Sequence, residues 1–195
     1  MERKPIVLLD CDGVLADFVK SYLTWLNASA YARPGEPYRQ DEVHEFDIGK
    51  ALGLPDNMWV EFSAWLNADE TRLQFDVLGS STVEAVRLLK QNCDVLCLTS
   101  PLSDCDLWVA RRNTWLKQHF SIKKDDIFHG SRKELVRGDF LVDDRLDNIL
   151  RWAEANPLSR GLLFDQPWNR NTGMLPQNVK RVYDWSEVIR AVQET

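Results

Sequence analysis

Four short stretches of this chain are apolar without interruption. They are residues 6–9 (IVLL), 95–98 (VLCL), 140–142 (FLV) and 161–164 (GLLF). Runs of this length, without polar alternation, suit strands buried on both faces of a parallel sheet. Between and after them the apolar positions shift to helical spacing. Val83, Val86 and Leu89 mark a helix over residues 82–90, with Ser80 or Ser81 ahead as its N-cap. Leu107, Trp108, Trp115 and Leu116 form a stripe over residues 106–119, and residues 146–155 and 185–192 complete the set. Strands alternating with helices predict an α/β fold with a mainly parallel sheet.

Residues 19–80 break the rhythm. They hold Arg33, Pro34, Gly35, Glu36 and Pro37, then His44, Glu45, Phe46 and Asp47, then a Trp-rich segment with Trp59, Phe62 and Trp65. Nothing there reads as a buried strand. The stretch is expected to be a mostly helical insertion over the end of the first strand; an ordinary helical layer on the sheet is the competing reading. The expected division is therefore residues 1–18 and 81–195 for the α/β core and 19–80 for a small helical cap.

The length of 195 residues suits one compact domain, and the net charge of −6 argues against a broad basic face for polymeric nucleic acid. Cys11, Cys93, Cys97 and Cys105 show no zinc-site spacing and read as free thiols. The first apolar run is too short for a signal peptide or a membrane span. A soluble, cytoplasmic protein without a membrane partner is expected.

Candidate chemistry sits where the apolar runs end, the place where open α/β sheets bind ligands. The first run ends in Asp10, Cys11, Asp12 and Gly13. A carboxylate ending a buried strand needs compensation, and a cation supplies it. Asp10 is placed to attack phosphorus, with Asp12 protonating the leaving oxygen and then deprotonating water. Thr99 and Ser100 end the second run and offer donors to phosphoryl oxygens. Lys133, with Arg132 as competitor, would neutralise Asp10 and an incoming phosphate. Asp143 and Asp144 end the third run as a second acidic pair, suited to a hard cation.

In that order the segments resemble the four motifs of the haloacid-dehalogenase (HAD) superfamily, and more narrowly its 5′(3′)-deoxyribonucleotidases. The likeness rests on DCDGVLADF at 10–18, LTSPL at 98–102, NTWLKQHF at 113–120 and RKELVRGDFLVDD at 132–144. The tail at 164–171 and 183–186 is also similar. The resemblance implies a three-layer Rossmann-like parallel sheet with a helical cap after the first strand. It implies an aspartyl-phosphate on Asp10 and general acid/base work by Asp12. Mg²⁺ would be held by the Asp10 carboxylate, the Asp12 backbone carbonyl and Asp144, with Asp143 in support. Thr99, Ser100 and Lys133 would hold phosphate, and Phe18 and Phe46 would face the nucleoside of a nucleoside monophosphate. Residues 24–80 match least, and Gly79, Ser80 and Ser81 stand where the family carries Pro-Gly.

Two other functions stay open at this level: a phosphatase for a sugar phosphate or another small phosphomonoester, and a non-catalytic binding protein on the same fold. Cys105 and Arg111 satisfy a cysteine-phosphatase spacing, but the residues between them read as helix. Cys11 is expected to point into the core. His44 and His129 are expected at the surface, with a place lining the cleft as the competing reading for His129, and Trp25, Trp59, Trp65, Trp108, Trp115 and Trp152 on buried helix faces. The polar loop around Trp168 has the composition to close the cleft and offer Asn169 or Arg170 to substrate.

Overall fold

In the computed structural model, which describes residues 3–194, the four apolar runs are all strands. In chain order the sheet is built from β1 (Ile6–Leu9), β2 (Asp94–Thr99), β3 (Ile127–His129), β4 (Phe140–Asp143), β5 (Arg160–Phe164) and β6 (Val179–Val182). Their spatial order is β3-β2-β1-β4-β5-β6, and every pairing is parallel. The order reverses between β1 and β4. A doubly wound sheet opens its crevice at that reversal, beyond the C-terminal ends of the strands. Leu9 pairs with Val142, so one step further along both strands Asp10 lies level with Asp143.

Alternate residues of the strands enter two apolar layers. Val7, Leu9, Val95, Cys97, Phe140 and Val142 pack toward α4 (Thr82–Asn92), α5 (Trp108–Phe120) and α7 (Trp185–Gln193). Leu8, Leu98, Leu141 and Leu163 face the opposite way, against Ile149, Trp152 and Ala153 of α6 (Leu146–Ala155). The result is the expected three-layer α/β arrangement. Ser81 occupies the N-cap position of α4 but makes no side-chain capping bond. Thr82 is tied there instead: its hydroxyl donates to the Leu78 carbonyl and accepts from Trp185 Nε1 at 2.9 Å.

The helical insertion follows β1. It contains α1 (Phe18–Ala28), α2 (Ile48–Ala51) and α3 (Met58–Ala68), and α1 starts where the Asp17 side chain accepts from Lys20 N. Fully buried Phe62 is the centre of its packing, with ring centroids 4.9 Å from Tyr22, 5.1 Å from Trp25 and 5.8 Å from Trp65. The two connections to the sheet run side by side. Asp17 N donates to Asp76 O at 2.9 Å, Leu78 N donates to Leu15 O at 2.8 Å, and Ala16 bridges Val77 antiparallel. Among the described residues no helix is long and apolar enough to cross a membrane.

Candidate active site

β1 delivers Asp10 to the crevice, and Asp10 N continues the ladder by donating to Val142 O at 2.9 Å. The chain then turns tightly, with Leu15 N and Ala16 N both donating to Cys11 O at 2.7 and 2.8 Å. Gly13 makes that turn at φ +77°, and a Cβ on it would lie 2.3 Å from Asp144 Oδ2. A side chain at 13 is therefore excluded twice, by the left-handed backbone and by the neighbouring carboxylate.

Asp10, Asp143 and Asp144 are all buried, and one carboxylate oxygen from each lies within 4.8 Å of the others. Among the described residues the ammonium that meets them is that of Lys133, 2% exposed, whose Nζ sits 2.7 Å from both Asp10 Oδ1 and Asp143 Oδ2. Arg132, its rival in the sequence, turns outward to Glu134 at 3.0 Å. Cys11 N donates to Asp10 Oδ1 at 2.7 Å, and Arg145 N to Asp143 Oδ1 at 2.8 Å. Asn148 Nδ2 adds a bond to Asp143 Oδ2 at 3.2 Å, and Trp168 Nε1 donates to Asp144 Oδ2 at 2.8 Å.

Charge in this cluster does not balance. Burial pushes Asp10 up to about 7 despite Lys133, with Asp143 and Asp12 pushing the same way. Burial, Asp143 and Asp10 likewise raise Asp144 well above the ordinary carboxylate range. Burial pulls the Lys133 ammonium down, but Asp10 and Asp143 outweigh it and leave its pKa above the usual lysine value. Three carboxylates facing one ammonium form an all-oxygen donor set one hard cation short of neutrality, which fits Mg²⁺.

Thr99 is fully buried, and its hydroxyl has no hydrogen-bond partner in the structure. An orphaned buried hydroxyl at a strand end is a donor waiting for an acceptor. Ser100 is exposed at the cleft, its hydroxyl 3.4 Å from Gly130 O. Asp12 also lines the cleft and receives Arg112 Nη2 at 2.7 Å. Burial raises Asp12, and Arg112 opposes it.

Beyond these groups lies a cleft of about 480 Å³ between the insertion and the sheet. Phe18 lines it, stacked on Trp59 at 6.1 Å and 20°. Phe46 stands at its edge, 53% exposed, with the Arg145 guanidinium 4.4 Å above its ring. Trp108 is buried on its helix face as expected and Trp59 is half-buried, and both also line the cleft. Trp25, Trp115 and Trp152 are buried as expected, and Trp65 is half-buried in the insertion.

The loop after β5 closes on the site with different residues from those expected. Asn169 is buried and donates to Asp144 O and Phe164 O, both at 2.7 Å, while Arg170 is exposed and paired with Asp165 at 2.9 Å. Trp168 and Gln166 face the cleft instead, and Gln166 Nε2 donates to Gly13 O at 2.7 Å. Cys11 points into the core and His44 is exposed. His129 is half-buried rather than at the surface, with Nε2 2.7 Å from Asn113 Oδ1; burial, then Arg112, lowers its pKa. Asn148, Gln166 and Arg112 were not singled out from the sequence. The first two carry no local signal there. Arg112 had one: it is a charged residue on the stripe of α5 between Trp108 and Trp115.

Comparison with known proteins agrees with this geometry. Residues 4–194 match the family described as 5′ nucleotidase, deoxy (pyrimidine), cytosolic type C protein. A Bordetella pertussis protein is 32% identical over 169 residues, 85% of this chain and 86% of its own. The human cytosolic-type 5′(3′)-deoxyribonucleotidase is 27% identical over 200 residues, covering 100% of this chain and 96% of the relative. The 5′(3′)-deoxyribonucleotidase of Bacillus subtilis is 24% identical over 189 residues, 96% and 98% of the two chains. Among solved structures, a Bacillus subtilis HAD hydrolase bound to magnesium superposes with a TM-score of 0.61 at 14% identity, over 98% of this chain and 99% of that one. That likeness concerns the fold.

Proposed function

We propose, because this chain belongs to the cytosolic type C 5′-nucleotidase family of HAD-like 5′(3′)-deoxyribonucleotidases, that it cleaves nucleoside monophosphates, deoxyribonucleotides foremost, through an aspartyl-phosphate on Asp10. The family is one of phosphomonoesterases. The observation that carries the reading is the buried bridge from Asp10 through Lys133 to Asp143, with Asp144 beside it at the head of an aromatic cleft.

Asp10, Asp143 and Asp144 would hold Mg²⁺ together with the Asp12 carbonyl, and the bound ion supplies charge neutralisation at the phosphoryl oxygens. An Asp10 carboxylate oxygen attacks phosphorus, and the ester oxygen leaves with the P–O electron pair and a proton from Asp12. Water then attacks the same phosphorus and gives its proton to Asp12. The bond to Asp10 breaks, inorganic phosphate leaves, and both carboxyl groups return to their starting states. Lys133, Thr99 and the Ser100 donors hold the phosphoryl oxygens through both steps. Phe18 and Phe46 flank the nucleoside, and Trp59 widens that apolar wall.

The paired connections at Ala16 and Val77 support a core of residues 1–18 and 81–195 and a cap of 19–80. Four free thiols support a reducing, cytoplasmic location.

The deciding experiment is phosphate release from ribo- and deoxyribonucleoside 5′- and 3′-monophosphates, with and without Mg²⁺, for the wild type and Asp10→Asn. Mg²⁺-dependent release favouring deoxynucleotides, abolished in a folded Asp10→Asn protein, is expected. Equal release from simple phosphoesters would overturn the nucleotide assignment, and an active Asp10→Asn protein would overturn the mechanism.

A further inference from the structure

Arg112 is a buried cation that the reaction outlined above does not use. It is 4% exposed and belongs to α5, on the face that also carries Trp108 and Trp115. Its guanidinium carbon lies 4.6 Å from the Trp108 ring centroid, 5.1 Å from Phe75 and 5.7 Å from Trp115. The cage is itself pinned, since Trp115 Nε1 donates to Phe75 O at 2.7 Å. Two prongs leave the cage toward the turn after β1. Nη1 donates to Cys11 Sγ at 2.8 Å, and Nη2 donates to Asp12 Oδ1 at 2.7 Å.

Asp12 has little else to hold it. Its side chain is 27% exposed, it lines the cleft, and it lies at the start of a turn whose backbone bonds converge on Cys11 O. A general acid must present its proton to one oxygen within hydrogen-bond reach, and a freely rotating carboxyl spends most of its time elsewhere. A planar guanidinium gripping Cys11 and Asp12 together fixes the second carboxylate relative to the strand that carries the first. Aromatic faces on the guanidinium keep the fork from swinging.

We propose that Arg112 is a positioning residue: it holds Asp12 by Oδ1 so that the other carboxyl oxygen faces the ester oxygen of the substrate. The inference rests on the reading of Asp12 as general acid. The step it serves is departure of the ester oxygen, which takes the P–O electron pair from phosphorus and the proton from Asp12.

Leaving-group dependence separates this role from a structural one. Phenyl phosphate and p-nitrophenyl phosphate share a ring, but only the first needs a proton on its departing oxygen to leave readily. Comparing kcat/KM for the two cancels any loss of folded enzyme and confines the reading to formation of the aspartyl-phosphate. Arg112→Met is expected to lower the phenyl to p-nitrophenyl ratio at least about tenfold, and Arg112→Lys by an intermediate amount, because lysine keeps the charge without the fork. Asp12→Asn, measured in parallel, is expected to lower the ratio further. An unchanged ratio in Arg112→Met, with Asp12→Asn lowered, would overturn the positioning role. An unchanged ratio in Asp12→Asn would instead overturn the reading of Asp12 as the acid. Should the methionine variant fail to fold, Arg112→Lys decides: a wild-type ratio there overturns the proposal, and a lowered one upholds it.

Discussion

At Asp10 one carboxylate has to be buried and ionised at once, and its environment shows the conflict. Its pKa of about 7 lies far above the value near 3.9 of an unfolded aspartate. Between those values the unfolded chain has lost a proton that the folded chain keeps, so this group's contribution to stability falls as pH rises through that window. A cation that holds the carboxylate ionised reverses the loss, and protons compete with it at low pH. Mg²⁺ should therefore raise the melting temperature more at about pH 8 than at about pH 5, as read by calorimetry against an EDTA control. An equal increment at both values would count against Asp10 as a ligand. Gly13 sets a second limit at this scale. Gly13→Ala forces a Cβ to within 2.3 Å of Asp144 Oδ2 in a left-handed backbone. It should reduce kcat at least about a hundredfold by displacing Asp144 and cost roughly 1–2 kcal/mol in denaturant melts. A near-wild-type variant would mean that the turn relaxes freely.

Among the elements, the insertion has its own source of stability. Phe62 is fully buried where the rings of α1 and α3 meet, with Phe18 5.8 Å away edge-on. Phe62→Ala should cost about 3–5 kcal/mol by leaving a cavity among aromatic neighbours. Because Phe18 and Trp59 belong to the same cluster and line the cleft, the variant should raise KM for deoxynucleotides more than for p-nitrophenyl phosphate. Parallel losses on both substrates in steady-state assays would show that the insertion serves only the fold. The strands illustrate how legible each element was. β1, β2, β4 and β5 were readable because both of their faces are covered, which forces continuous apolar sequence. β3 and β6 were missed: they are edge strands, β3 only three residues long and β6 reading Val-Lys-Arg-Val with two polar residues at its centre, so exposed positions dilute the signal.

The whole molecule carries a net charge of −6 and gathers its site at one reversal of the sheet. A net charge of −6 is expected to repel a long polyanion, and the loop around Trp168 lines one side of the cleft. Excess long single-stranded DNA should leave deoxynucleotide hydrolysis unchanged at low salt, and strong inhibition would contradict that picture. The α/β alternation, the four central strands and the acidic groups at their ends were determined by the sequence alone, because burial on two faces and a charge at a strand end leave a local mark. Only the tertiary structure put the Lys133 ammonium between Asp10 and Asp143, set Trp168 and Gln166 toward the cleft in place of Asn169 and Arg170, and brought Arg112 to Asp12. Those choices depend on chain segments far apart in sequence. Residues 12 and 112 meet only because α5 packs beside the end of β1, and nothing within either segment records the other's charge.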